Sequence, residues 1–226
     1  MIRPRVVAIV PAAGTGRRLG AGRKKPFVLL GGKPLVSYAL RALDASNDID
    51  GIIVACESSS IGRIRSIAKR YRIYKLIDVV AGGATRFESV RNCMSSLVGS
   101  FDVALIHDAA RPFIDGAMIK RSVRAAWKFG ACIAAVPESD TVKAANGALF
   151  IERTLDREKI FRAQTPQAFR YSLIRKAYLG RRSIGATDDA SLVERDRPVK
   201  IVEGSYKNLK VTTKEDLKIA EAFLCG

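Results

Sequence analysis

Histidine is nearly missing from this chain: its 226 residues include one, His107. A zinc cage or a Ser-His-Asp triad therefore has little to draw on. Cysteine is scarce as well. The four present, Cys56, Cys93, Cys132 and Cys225, follow no C-x-x-C spacing. That excludes a disulfide-stapled scaffold and reads as reduced, mostly buried thiols of a cytoplasmic protein. Nowhere does an apolar run approach the roughly 18 residues that span a bilayer, so no membrane role is expected. The run at residues 6–10 is too short for a signal peptide and leads straight into a glycine turn. Internal repeats, low-complexity tracts and linker-like composition shifts are absent too, which implies one domain over residues 1–226.

Acidic residues are also in short supply. Against 39 Lys and Arg stand 22 Asp and Glu, a net charge of +17. Such a field draws anions: nucleic acid, an acidic membrane surface or phosphorylated small molecules. What the chain does have is 48% apolar residues, enough for a sizeable core. Their pattern alternates short runs with amphipathic segments, the mark of an α/β fold with a mostly parallel sheet. Strands are expected at residues 6–11, 51–56, 76–80, 103–106 and 131–136, with a last one at 199–202. Helices are expected from Pro34 as first helical residue, over 85–97, over 117–129, and at the end, where Thr212 to Glu215 offers a capping box. From Pro137 to Arg170 the sequence turns polar and carries Asn146-Gly147, a hairpin dipeptide; about residues 137–160 read as a protruding β-arm.

Chemistry concentrates where strands end. The first strand runs into Pro11-Ala12-Ala13-Gly14-Thr15-Gly16-Arg17-Arg18-Leu19-Gly20. In an open α/β sheet, ligands bind beyond the strands' carboxyl ends, where a glycine turn aims backbone N–H groups at phosphate. The spacing is neither the dinucleotide fingerprint nor a P-loop. Arg17, Arg18, Arg23, Lys24 and Lys25 follow, with no acid before Asp44. Beside a phosphate loop, such cations can clamp a polyphosphate. At another strand end, His107-Asp108-Ala109-Ala110-Arg111-Pro112 offers Asp108 for Mg²⁺ or a ribose hydroxyl and Arg111 for an anion.

Taken in order, the motifs P-A-A-G-x-G-x-R, A-G-G-x-x-R-x-x-S-V, H-D-A-A-R-P, D-T-x-K, A-Q-T-P-Q-x-F, T-D-D-A and N-x-K-x-T-x-x-x-D-L resemble the 2-C-methyl-D-erythritol 4-phosphate cytidylyltransferase family over nearly the whole chain. The resemblance implies a Rossmann-like nucleotidyltransferase fold. It also implies transfer of a cytidylyl group from CTP to the polyol phosphate, with Mg²⁺ required and pyrophosphate released. By the same resemblance Arg18 and Lys25 stabilise charge at the α-phosphoryl group. Arg157 and Lys210 position the polyol phosphate. Ala12, Ala13, Gly14, Thr15 and Gly16 form the nucleotide loop, and Gly82, Gly83 and Ser89 contact the cytosine and its surroundings. Asp108 lies near ribose and metal, while Arg111, Thr141, Thr165 and Thr187 line the substrate pocket. The arm would exchange within a homodimer, so that Thr141 and Arg157 serve the neighbour's site. Where the family reads P-K-Q-F, this chain has Lys24-Lys25-Pro26-Phe27. Counting from Arg18 favours Lys25, and Lys24 takes the role if the loop shifts by one. The ribitol-5-phosphate cytidylyltransferases share much of the pattern and are the nearest alternative. A basic nucleic-acid-binding protein is the remote one; no RNP motif, zinc-finger spacing or basic heptad helix supports it, so no specific nucleic-acid partner is expected.

Overall fold

The computed structural model describes residues 3–14, 24–180 and 187–225. Six strands fall where the apolar runs place them: β1 (Val6–Pro11), β4 (Gly51–Cys56), β5 (Leu76–Ala81), β6 (Val103–Ile106), β7 (Ala131–Pro137) and β11 (Lys200–Glu203). With β10 (Phe161–Arg170) they form one sheet in the order β11-β7-β10-β6-β1-β4-β5. Every neighbouring pair is parallel except those made by β10, which runs antiparallel to both β6 and β7. Strand β10 lies inside the stretch expected to be a polar excursion. The polar residues Gln164, Thr165 and Gln167 hid it, because all three are buried and hydrogen-bonded rather than exposed.

Side chains alternate across the sheet and bury both faces. Val6, Ala8, Val10, Ile52 and Val54 pack against α1 (Leu35–Ala45), α2 (Ile61–Arg70) and α4 (Gly116–Phe129). Val7, Ile9, Ile53 and Ala55 meet α3 (Arg86–Ser96) and α5 (Tyr171–Gly180) on the other face. The short strands β2 (Leu29–Leu30) and β3 (Lys33–Pro34) pair as a hairpin. Pro34 thereby becomes the N-cap of α1 rather than its first helical residue. Helix α6 (Lys214–Cys225) also starts differently from expectation. Its cap is Thr213, whose Oγ1 accepts the Asp216 N–H at 3.2 Å, while the Asp216 carboxylate accepts the Thr213 N–H at 2.9 Å. The reciprocal pair lies one residue beyond the Thr212–Glu215 reading.

In the 137–160 stretch, β8 (Lys143–Ala145) and β9 (Ile151–Thr154) form a two-stranded antiparallel ribbon apart from the main sheet. Asn146 closes its turn, its side-chain oxygen accepting the N–H groups of Ala148 and Phe150 at 3.0 Å each. Cys56, Cys93 and Cys132 are buried free thiols, and burial pushes them up to about 11, 12 and 12, so they stay protonated and inert. Among the described residues no helix is long and apolar enough to cross a membrane.

Candidate active site

The carboxyl ends of β1, β4, β5 and β6 converge, held in line by backbone bonds from Ala12 N–H to the Ala55 carbonyl (2.7 Å), from Gly82 N–H to the Cys56 carbonyl (2.7 Å) and from His107 N–H to the Ile9 carbonyl (2.9 Å). Between them opens a cavity of about 410 Å³. Its wall includes Ala12, Ala13 and Gly14 from the end of β1, Gly83 and Ser89 around the start of α3, and Asp108 after β6. Lys25, Arg86 and Lys210 bring positive charge to the same space. Gly82 underlies this wall, and only glycine fits there: a Cβ would sit 2.6 Å from the Ala13 Cβ and 2.9 Å from Ser89 Oγ. Ser89 Oγ donates to the Thr85 carbonyl (2.9 Å) and accepts the Gly83 N–H (3.2 Å), which pins the glycine turn to α3.

Asp108 is the electrostatic centre. One carboxylate oxygen meets Arg86 Nε at 2.9 Å and the other Lys210 Nζ at 2.7 Å. Burial alone would raise its carboxyl, but Arg86 and then Lys210 outweigh that and hold it well below the usual carboxylate range. Its neighbour His107 is fully buried, and desolvation pushes the imidazole down to about 4. Its hydrogen bonds agree with a neutral ring. Nε2–H donates to the Arg111 carbonyl at 3.0 Å, Nδ1 takes the Thr165 hydroxyl at 3.1 Å, and Thr165 Oγ1 accepts the Asp108 N–H at 3.0 Å. His107 is thus a brace for the loop that carries Asp108, not a proton shuttle facing the cavity.

Not every residue singled out in the sequence lines this space. Thr15, Gly16 and Arg18 lie outside the described residues. Lys25 lines the cavity, whereas Lys24 bonds Ser59 Oγ and the Glu57 carboxylate, each at 2.8 Å. Thr165 is buried, its hydroxyl committed to His107 and Asp108. Arg111 donates from Nη1 to the Asn208 carbonyl at 2.7 Å, and its buried Nε has no partner among the described residues. Thr141 and Arg157 are exposed on and beside the ribbon, and Thr187 is exposed at a bend; none of the three lines the cavity. Arg86, the arginine of the A-G-G-x-x-R-x-x-S-V motif, was given no role in the sequence reading, yet it lines the cavity. One signal was available: an arginine directly after the Thr85 N-cap opposes the dipole of the helix it opens, and such a placement needs acidic partners. Those partners are Asp108 and Asp189.

The fold and the cavity define a class: an α/β protein with a glycine-walled, cation-lined cavity at the carboxyl ends of its strands, where open sheets of this kind take their ligands. A family model described as IspD, 2-C-methyl-D-erythritol 4-phosphate cytidylyltransferase, matches residues 6–225. A protein of that name from Geobacillus thermodenitrificans is 46% identical over 222 residues, covering 97% of this chain and 96% of its own length. Another, from Syntrophus aciditrophicus, is 43% identical over 229 residues, covering 99% and 97%. Among solved structures, a 4-diphosphocytidyl-2C-methyl-D-erythritol synthase from Anaerococcus prevotii matches with a TM-score of 0.87 at 30% identity, over 99% of this chain and 97% of that one. The chain belongs to the 2-C-methyl-D-erythritol 4-phosphate cytidylyltransferase family, a family of nucleotidyltransferases.

Proposed function

We infer that this chain transfers the cytidylyl group of CTP to 2-C-methyl-D-erythritol 4-phosphate, giving 4-diphosphocytidyl-2-C-methyl-D-erythritol and pyrophosphate in isoprenoid precursor biosynthesis. The observation that carries the reading is the family match over residues 6–225, joined to a cation-rimmed, glycine-walled cavity at the strand ends. An oxygen of the polyol's phosphate attacks the α-phosphorus of CTP. The bond from that phosphorus to the bridging oxygen breaks, and pyrophosphate leaves with the electron pair. A phosphate monoester has its second pKa near 6, so the nucleophile is largely ionised at neutral pH and needs no general base. A buried, neutral His107 is compatible with that economy. What the reaction needs is fixed positive charge and alignment.

Lys25 supplies such charge from the cavity wall, and Arg18 is assigned the same task by the family resemblance. Ala12, Ala13 and Gly14 bound the triphosphate side, with Gly82, Gly83 and Ser89 toward the base. Lys210 receives the polyol phosphate. Among the described residues no three His, Cys, Asp or Glu gather into a metal cage. Asp108 is the one carboxylate among the described residues of the cavity wall, and it would hold a Mg²⁺ once Lys210, which meets one of its oxygens here, turns to the second substrate's phosphate. Mg²⁺ held there supplies charge neutralisation on the triphosphate and the departing pyrophosphate.

Thr141 and Arg157 stand away from their own cavity, which supports a homodimer in which each ribbon completes the neighbour's site. Exposed Leu149, Phe150 and Ile151 at the ribbon's turn supply an apolar surface for that exchange. The buried free thiols of Cys56, Cys93 and Cys132 favour a reducing, cytoplasmic setting. Phosphorus NMR of a reaction with CTP, Mg²⁺ and 2-C-methyl-D-erythritol 4-phosphate tests the function. New diphosphate-ester resonances together with free pyrophosphate are expected; an unchanged CTP spectrum would overturn the reading.

A further inference from the structure

The guanidinium of Arg86 makes three charged hydrogen bonds at once. Nε donates to Asp108 at 2.9 Å, while Nη1 and Nη2 form a fork on Asp189 at 2.8 and 2.7 Å. Asp108 lines the cavity; Asp189 is wholly buried in the bend that begins at Thr187. Asp189 is itself braced: it accepts the Tyr178 hydroxyl, and its N–H donates to Gln167 Oε1 at 3.1 Å. Gln167 Nε2 in turn donates to Asp188 at 2.8 Å. At its other end Arg86 is fixed by the Thr85–Glu88 capping box that opens α3. One side chain therefore ties together the start of α3, the end of β6 and the 187–190 bend.

We propose that Arg86 is a positioning residue that couples the nucleotide side of the cavity, through Asp108, to the bend carrying Thr187, through Asp189. The proposal rests on the cytidylyl-transfer reading for what the two sides hold. Lys210 cannot do this work, since among the described residues its ammonium meets Asp108 and not Asp189, and it is assigned to the second substrate's phosphate. When Lys210 turns to that phosphate, Arg86 remains on Asp108 and keeps the carboxylate in place. Lysine cannot replace arginine here, because a point charge cannot fork on Asp189 and reach Asp108 together.

A double-mutant cycle on CTP affinity, measured by titration calorimetry with Mg²⁺, tests the coupling. Asp189 does not line the cavity, so a merely structural Asp189 leaves the affinity of the folded protein alone. Coupling through Arg86 instead gives Asp189→Asn a dissociation constant raised about threefold to tenfold, and no further rise when Arg86→Lys is already present. If Asp189→Asn does not fold, Tyr178→Phe, which leaves the fork intact, takes its place with a smaller rise of about twofold to threefold and the same loss of effect beside Arg86→Lys. Additive effects in the cycle, or unchanged CTP affinity in both variants, would overturn the proposal. The wild type's own titration separates this from the functional reading: if another nucleoside triphosphate binds instead, the cycle is run with that nucleotide, and if none binds both fall.

Discussion

Two adjacent lysines at the cavity mouth divide the labour by a single residue of register. The Lys24 ammonium is taken up by Glu57 and Ser59, while Lys25 lines the cavity. Lys25→Met should lower turnover by about 10²–10³, the usual effect of removing one charge-stabilising donor, and Lys24→Met by less than about tenfold. Steady-state rates of pyrophosphate release decide between them. His107 gives a second residue-scale test. Its folded pKa, about 4, lies below the ordinary 6.5, so between those values the unfolded chain binds the extra proton. Its contribution to stability is complete above pH 6.5 and is lost as pH falls toward 4, by about 3 kcal/mol. Urea unfolding at pH 7 and pH 5 should show that slope, and His107→Asn should flatten it. An equal slope in the variant would contradict the assignment. Asp108, Lys25 and the glycine turns were legible because a strand end is where such residues gather. The motif that holds Arg86 was legible but its role was not, since its partners Asp108 and Asp189 stand 22 and 103 positions away and only the folded sheet brings them together.

At the scale of elements, unbroken apolar runs marked the buried parallel strands, and alternation with amphipathic segments marked the fold class. What the pattern concealed was β10, whose buried Gln164, Thr165 and Gln167 look like loop residues until their partners are known. Helix α2 was hidden as well: its charged outer face surrounds a narrow apolar stripe of Ile64, Ile67 and Ala68. The start of α6 shows how far a one-residue shift matters. Thr213 and Asp216 cap each other, and Asp216 also accepts the Thr212 N–H at 2.7 Å. Thr212 lines the cavity two residues after Lys210. Thr213→Ala should therefore cost about 1 kcal/mol in urea unfolding. It should also raise the KM for the polyol phosphate, because the turn that holds Lys210 loosens. Normal stability in that variant would place the cap elsewhere.

For the whole molecule, the ribbon separates residues that one chain does not bring together. Arg157→Ala should raise the KM for the polyol phosphate about tenfold or more while CTP binding stays within twofold, a contrast that a charged contact to phosphate alone produces. At a polyol-phosphate level well below the raised KM, where Arg157→Ala and Lys25→Met are both poorly active, mixing the two chains should restore part of the activity, since an exchanged ribbon leaves one intact site per mixed dimer. No recovery after subunit mixing, with light scattering reporting a monomer, would refute the shared site. Lys25, Arg86 and Lys210 in the cavity wall, a small share of the chain's +17, suit two anionic substrates whose mutual repulsion must be offset before they can react. The most direct measurement is the initial rate of pyrophosphate release from CTP and Mg²⁺, taken in parallel with 2-C-methyl-D-erythritol 4-phosphate and D-ribitol 5-phosphate. Rapid release with the first and little with the second is expected. Release with ribitol phosphate alone, or with neither, would contradict the assigned reaction.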